Sequence, residues 1–377
     1  MLLKDGKKRA IVEAGKYIVE KRWNKMSYSK EYKWRIINYI LEKISNDDPK
    51  FVGKVIKSFD TSDTTVRRYL DELCSDDIIV KNNKAKCGYA LKKEEKHELY
   101  DNVNLEEDVI FRNDFFPYLK DLPENVQHIW TYAFTEILNN AIEHSKSETI
   151  YISMEKDYLT TKMWILDRGI GIFNNIVQYM KEKYSRDDIN IEDAVVELFK
   201  GKLTTAKESH SGEGIFFTSR MMDSFYILSS NTFFSHDNIL DYTVKEFINK
   251  GPSDVLSTGV NCGTVVFLQM SNYSKKTAKE VFDMFAPMDI GFVKTSIPIK
   301  HACCEFGYPV SRSQARRLCT RFDEFEEVIL DFDGVDNIGQ AFAHEIFNVF
   351  QRNHPNLKLI VENAVPYVEN MIKRVQK

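Results

Sequence analysis

Residues 161–172 read TKMWILDRGIGI and residues 127–145 read QHIWTYAFTEILNNAIEHS; these two stretches decide how the middle of the chain folds. The first begins as an alternating strand, paired with a similar run at 149–154, and ends in Asp167-Arg168-Gly169-Ile170-Gly171. Gly169 and Gly171 let the backbone turn sharply and approach a bound group closely. A carboxylate at a strand end is tolerated in a buried place only with a hydrogen-bond donor to meet it. The second stretch has apolar residues at helical spacing (Ile129, Tyr132, Ala133, Leu138, Ala141). Glu136 and Asn140 stand four apart, on one helix face and one turn from each other.

Downstream lies a long polar stretch with one helical piece at 190–199. It ends at Ser211-Gly212-Glu213-Gly214-Ile215, before a further helix at 216–222. Gly212 and Gly214 open that helix, where free N–H groups and the helix dipole favour phosphate oxygens. Gly263-Thr264 begins a strand at 263–268.

Helix with E-x-x-x-N, strand into D-x-G-x-G, an intervening segment, G-x-G opening a helix, then G-T on a strand: this order resembles the GHKL ATPase family. That family includes DNA gyrase B, heat-shock protein 90, histidine kinases, MutL-type repair proteins and anti-sigma-factor kinases. The resemblance covers residues 105–275. It implies ATP and Mg2+ as ligands. Asp167 would accept the exocyclic amine of adenine, with Gly169 and Gly171 against the ring and Thr264 on the adenine side. Gly212 and Gly214 would face the phosphates. Asn140 would supply an oxygen to magnesium, which keeps several of its waters. Glu136 would be the general base or would orient water. His144 would close the helix motif. Glu143 stands where other members often have a basic residue. Lys202, Thr204 and Thr205 would lie in a lid over about 173–211, Lys202 within reach of a phosphate or simply in solvent.

The first 95 residues carry a net charge of +7 and the rest −11, within an overall −4. A basic module on an acidic body leaves room for an anionic partner. Three helices are expected there, at 34–44, 51–59 and from about 63 to Cys74, the last capped by Asp60 or Ser62. A hairpin follows, 78–80 and 88–91 around a basic turn. This resembles a winged helix-turn-helix, with Val66, Leu70 and Leu73 inward and Thr64, Thr65, Arg67 and Arg68 exposed to DNA. A protein contact or a purely structural module stays open. Residues 94–125 read as a linker and a lead-in to the next domain.

After Ser274, strands at 288–299, 328–332 and 357–361 alternate with helices at 311–322 (capped by Ser311 or Ser313), 340–350 and 365–375. The run DFDGVDNIGQAFAHEIF resembles STAS-like domains, and distantly the anti-sigma-factor antagonists. In the antagonists a phosphorylatable serine stands in the turn after the strand; here Asp336, Asn337, Ile338 and Gly339 offer no hydroxyl.

The fold expectation is therefore α+β in three domains: a winged helix-turn-helix (1–95), a GHKL α/β sandwich (96–275) and a STAS-like α/β domain (285–377). The expected role is an ATP/Mg2+-binding cytoplasmic regulator of prokaryotic type with slow hydrolysis. The alternatives are a serine/threonine protein kinase of the anti-sigma-factor type and an ATP-sensing DNA-binding transcription regulator. His97-Glu98-Leu99 resembles a histidine-kinase phosphoacceptor, but the interval to Glu136 is short for a dimerisation hairpin. DNA, a protein partner at the STAS-like domain and a homodimer stay open as partners; a membrane is not expected. The 43% hydrophobic and 29% charged content excludes long disorder and fibrous repeats. The six cysteines have no C-x-x-C spacing and read as reduced thiols; a metal at His301-Ala302-Cys303-Cys304 lacks a second ligand pair.

Overall fold

The computed structural model describes residues 30–202, 213–229, 232–235, 263–287, 291–303 and 308–376. The chain is a mixed α/β protein, with three separate sheets among the described residues. No helix among the described residues is long and apolar enough to cross a membrane.

The amino-terminal part is three helices and a hairpin. Helix α1 (Lys30–Ser45) turns Trp34, Ile37, Leu41 and Ile44 inward at helical spacing. Helix α2 (Phe51–Phe59) ends at Asp60, in the left-handed conformation. Helix α3 (Asp63–Ser75) is capped by Ser62, whose hydroxyl accepts the Thr65 N–H. Val66, Leu70 and Leu73 are buried as expected. Strands β1 (Ile79–Lys81) and β2 (Tyr89–Leu91) pair antiparallel, Ile79 opposite Leu91.

Residues 94–125 are not a linker. Strand β3 (Glu94–Asp101) pairs along its whole length with β4 (Thr149–Lys156) and forms one edge of the central sheet. Its sequence, EEKHELYD, hides the strand because an edge facing water needs few apolar residues. The Tyr100 hydroxyl donates to Asp114 at 2.8 Å. Short helical turns over Glu107–Ile110, Phe111–Phe115 and Phe116–Leu119 then press Phe111 and Phe115 onto Phe134, ring centres 4.9 and 5.2 Å apart.

The central sheet has six strands, all antiparallel, in the order β3-β4-β5-β8-β6-β7. Strands β5 (Thr160–Asp167) and β8 (Thr264–Ser271) lie in its middle, with β6 (Ser224–Ser229) and β7 (Thr232–Ser235) beyond. Four helices share a core with one face: α4 (Glu124–His144), α5 (Ile172–Tyr184), α6 (Ile191–Lys200) and α7 (Gly214–Met221). Helix α5 falls inside the stretch expected to be mostly polar loop. It buries only Phe173, Ile176 and Met180, a sparse stripe that its polar residues mask. The opposite face carries an aromatic row, Trp164–Phe267–Tyr226–Phe233, with ring centres 5.0, 5.5 and 5.3 Å apart.

Helix α8 (Ala278–Phe285) leads to a parallel three-stranded sheet of order β11-β10-β9. Its strands are β9 (Lys294–Pro298), β10 (Glu327–Asp331) and β11 (Lys358–Glu362). Helices α9 (Ile299–Cys303), α10 (Arg312–Cys319), α11 (Gln340–His344, continued helically to Asn353) and α12 (Pro366–Val375) connect and follow them. Ser311 caps α10 in a reciprocal box with Gln314. The core of this sheet is continuous with that of the central one. The thiols of Cys74, Cys87 and Cys319 are free and Cys303 is buried; Cys262 and Cys304 lie outside the described residues.

Candidate functional site

The site is built along helix α4. Glu136, Asn140 and His144 form a half-buried stripe at four-residue spacing, above the buried Ile137, Leu138 and Ala141. Two glycine-bearing segments meet the two ends of this stripe.

At the far end, α4 stops at His144, and Ser145 and Ser147 take hold of the loop after β5. The Ser145 carbonyl accepts the Ile170 N–H at 2.9 Å, and the Ser147 hydroxyl accepts the Arg168 N–H at 3.0 Å. A Cβ added to Gly169 would fall on the Ser145 carbonyl, so no side chain fits there. Gly171 has φ +81°, in the region that favours glycine, and starts α5. Sequence reading did not single out Ser145 and Ser147. The signal was present as S-x-S at the helix end, followed by the strand pair.

Asp167 is 5% exposed at the end of β5. Burial pushes its carboxyl up to about 6, while hydrogen bonds from Gly169 and Thr264 oppose that rise. Its Oδ1 accepts the Gly169 N–H at 2.9 Å. Thr264 lies opposite Asp167 on β8, and its Oγ1 also accepts the Ile172 N–H at 3.1 Å. Gly263 belongs to the same cradle: a Cβ there would fall on the Asp167 carboxylate and the Gly169 backbone.

At the near end of the stripe, the Glu136 carboxylate lies against the first residue of α7, where a Cβ on Gly214 would collide with it. A carboxylate there is favoured by the helix dipole. Glu136 and Glu213 both raise the pKa of Tyr132, after the larger effect of its burial. Two acids therefore gather at the start of α7. From Glu136 to Ser145 the helix rises about 14 Å at ~1.5 Å per residue, which separates the acid at α7 from the Asp167 cradle. Gly212, Thr204 and Thr205 lie outside the described residues.

Lys202 does not face open solvent. Its Nζ donates to the Glu324 carbonyl at 2.7 Å and stands 4.5 Å from the Phe325 ring centre. Burial lowers its pKa, against the pull of Glu324 and Glu213. It therefore sits between the start of α7 and the carboxy-terminal part. Beside it is a buried charged cluster. Lys200, fully buried, donates to Glu197 at 2.6 Å and to the Thr320 carbonyl at 2.5 Å. Arg321 donates to the other Glu197 oxygen at 2.5 Å and to the Lys202 carbonyl at 2.9 Å. The Thr295 hydroxyl of β9 donates to the Lys200 carbonyl at 2.8 Å. Sequence gives no warning of this cluster, because its members are far apart in the chain.

Residues 314–369 match the model of a STAS-like domain of unknown function (DUF4325). No curated protein matches the chain. The STAS-like match runs from α10 to α12 and contains Thr320, Arg321, Glu324 and Phe325, the residues that grip Lys200 and Lys202. In the turn after β10 of the STAS-like domain, the Gly339 N–H donates to the Pro309 carbonyl at 2.8 Å. A Cβ on Gly339 would strike the Val310 backbone.

On α3, Thr64, Arg67 and Arg68 are exposed. Thr65 departs from the expectation: it is half-buried, and its hydroxyl lies 3.0 Å from that of Ser62 in the helix cap. Arg67 pairs with Asp63 at 2.5 Å and Arg68 with Glu72 at 3.8 Å. His97 is on strand β3, its Nδ1 2.9 Å from the Ser153 hydroxyl, and not on a helix of a dimerisation hairpin.

Proposed function

We propose that the central region is a GHKL-type module that binds ATP with Mg2+ between Asp167 and the start of α7, and that its nucleotide state regulates the flanking winged-helix-like and STAS-like regions. The observation that carries this reading is the buried Asp167 in its glycine cradle. An acid 5% exposed, held by hydrogen bonds from Gly169 and Thr264, keeps acceptor capacity for a further donor from a ligand. The exocyclic amine of adenine is such a donor, whereas guanine presents a carbonyl oxygen at that place. The glycines of the cradle let the Ser145 carbonyl, the Asp167 carboxylate and the Gly169 backbone approach one another closely, which fixes the acid in place.

Magnesium fits the other end. Among the described residues no group of three His, Cys, Asp or Glu side chains could hold a metal. A cation sharing the Asn140 amide oxygen with phosphate oxygens and water needs none. When bound, it neutralises phosphate charge beside Glu136 and Glu213. Glu136 then orients water for slow hydrolysis. Regulation requires only that ATP bind one arrangement of the chain better than another.

The test is nucleotide binding by calorimetry. Micromolar-range ATP binding that needs magnesium, weakens at least tenfold in Asn140→Ala, and is lost with its preference over GTP in Asp167→Ala supports the reading. Equal affinity for ATP and GTP in the wild type overturns the role of Asp167. Transfer of γ-phosphate label to a protein, instead of release as free phosphate, turns the reading to a serine/threonine kinase.

A second reading, DNA contact through α3, is favoured by the exposure of Arg67 (72% of its side chain) and Arg68 (46%). It predicts salt-dependent DNA binding that Arg67→Ala and Arg68→Ala each weaken.

A further inference from the structure

The two edges of the parallel sheet in the STAS-like region differ. The β9 edge is occupied: Thr295 bonds the Lys200 carbonyl, and Arg220 of α7 donates to the Ser296 carbonyl at 2.7 Å. The β11 edge is open. In β11, Lys358 donates its N–H to Glu326 and Glu362 accepts the Phe332 N–H, both at 2.9 Å. Backbone groups of a strand alternate in direction along it. Residues 358, 360 and 362 therefore face β10, and the N–H and C=O groups of Leu359 and Val361 point outward. Among the described residues nothing bonds them.

Open edges are normally blunted by charge. Strand β3, the edge of the central sheet, is EEKHELYD and follows that rule. Strand β11 is KLIVE: three consecutive apolar residues, each half-buried, between one cation and one anion.

We infer that β11 is the contact between two copies of this chain, paired antiparallel about a twofold axis through Ile360. A second copy of the strand matches both the hydrogen-bond phase and the charges. In this register Leu359 of each copy exchanges two backbone hydrogen bonds with Val361 of the other, so the four outward donors and acceptors of each strand are satisfied. Ile360 meets Ile360 of the second copy at a non-hydrogen-bonded position, where side chains come closest. Lys358 meets Glu362 of the second copy, twice by symmetry. The strand is self-complementary in sequence as a twofold contact requires, and pairing joins two three-stranded sheets into one of six. The inference does not depend on the nucleotide reading.

The experiment is sedimentation velocity on the full chain without nucleotide, over a concentration series to about 100 μM, a range that detects association of about −5.5 kcal/mol or stronger. The wild type is expected to dimerise. Ile360→Lys, which sets two cations face to face on the axis, is expected to be monomeric. Lys358→Glu and Glu362→Lys are each expected to weaken the dimer about tenfold. An equal mixture of those two variants restores both opposite-charge pairs and is expected to return to within about threefold of the wild type. A variant that merely misfolds is not rescued by mixing. A wild type that stays monomeric throughout overturns the inference. So does a dimer indifferent to Ile360→Lys, or a mixture no tighter than its components.

Discussion

The amino-terminal helices and the STAS-like region both adjoin the central sheet, yet they are attached in different ways. The first has its own core, running from Ile36 to Leu91, and meets the central sheet mainly where Tyr158 and Leu159 of the β4–β5 turn pack against it. The second has no core of its own. Val328, Leu330, Phe342 and Ile346 belong to the same buried cluster as Trp130, Phe134 and Ile165. The buried charges of Glu197, Lys200 and Arg321 sit across that join. A hairpin tip on a self-contained unit makes a joint that can change angle. A shared core with a buried charge cluster makes a joint that holds one angle or comes apart. Such a join predicts that any movement of the STAS-like region relative to the start of α7 is all-or-none.

Three measurements sharpen or break this contrast. The largest effect is expected for Glu197→Ala, which leaves Lys200 and Arg321 buried without the acid they share. Breaking such a pair costs about 3–5 kcal/mol. Urea denaturation should show the central and STAS-like regions losing structure in one weakened transition. A STAS-like region that unfolds alone would break the comparison.

The next effect is pH-dependent. Burial raises the Asp167 carboxyl from 3.8 to about 6. The folded state therefore holds this proton more tightly than the unfolded state does. The stability it contributes is fully present below about pH 4 and lost as pH rises through 6, a change of about 3 kcal/mol at most. Asp167→Asn removes this dependence, so the variant should be more stable than wild type at pH 7.5 and equal to it near pH 4. The gain should appear in the shared transition alone. An ATP amine that favours the ionised acid should make ATP binding tighten from pH 5 to pH 7.

The smallest effect is expected at the independent unit. Ser62→Ala removes the cap of α3 and costs about 1 kcal/mol. Tyrosine and tryptophan signals of the amino-terminal core should shift, and the shared transition should not. Movement of both would show that the two cores are coupled after all.

The helices and strands were largely legible because periodicity reports burial. The stripe of α4, the caps at Ser62 and Ser311, and the strands carrying Asp167 and Thr264 all read directly from spacing. Strand β3 was not legible, since an edge strand lacks the apolar alternation that marks its neighbours. Helix α5 was obscured because only three of its residues are buried. At the candidate site, Asp167, Gly169, Gly214 and Glu136 were visible as motif residues, and the structure brings each pair together, Asp167 with Gly169 and Glu136 with Gly214. What escaped was non-local. The grip of Glu324 and Phe325 on Lys202 joins positions more than 120 residues apart, and no local pattern carries such a contact.

The shared core also constrains how the protein is made. Its members run from Ile110 to Val375, so the central layer cannot bury its last neighbours until the carboxy-terminal strands have left the ribosome. At about 5–20 residues per second, the amino-terminal helices are finished long before that moment. A translating chain thus leaves the side of α6 that later meets β9 and Thr320 uncovered until the end of its synthesis, and that interval is when chaperones would be needed.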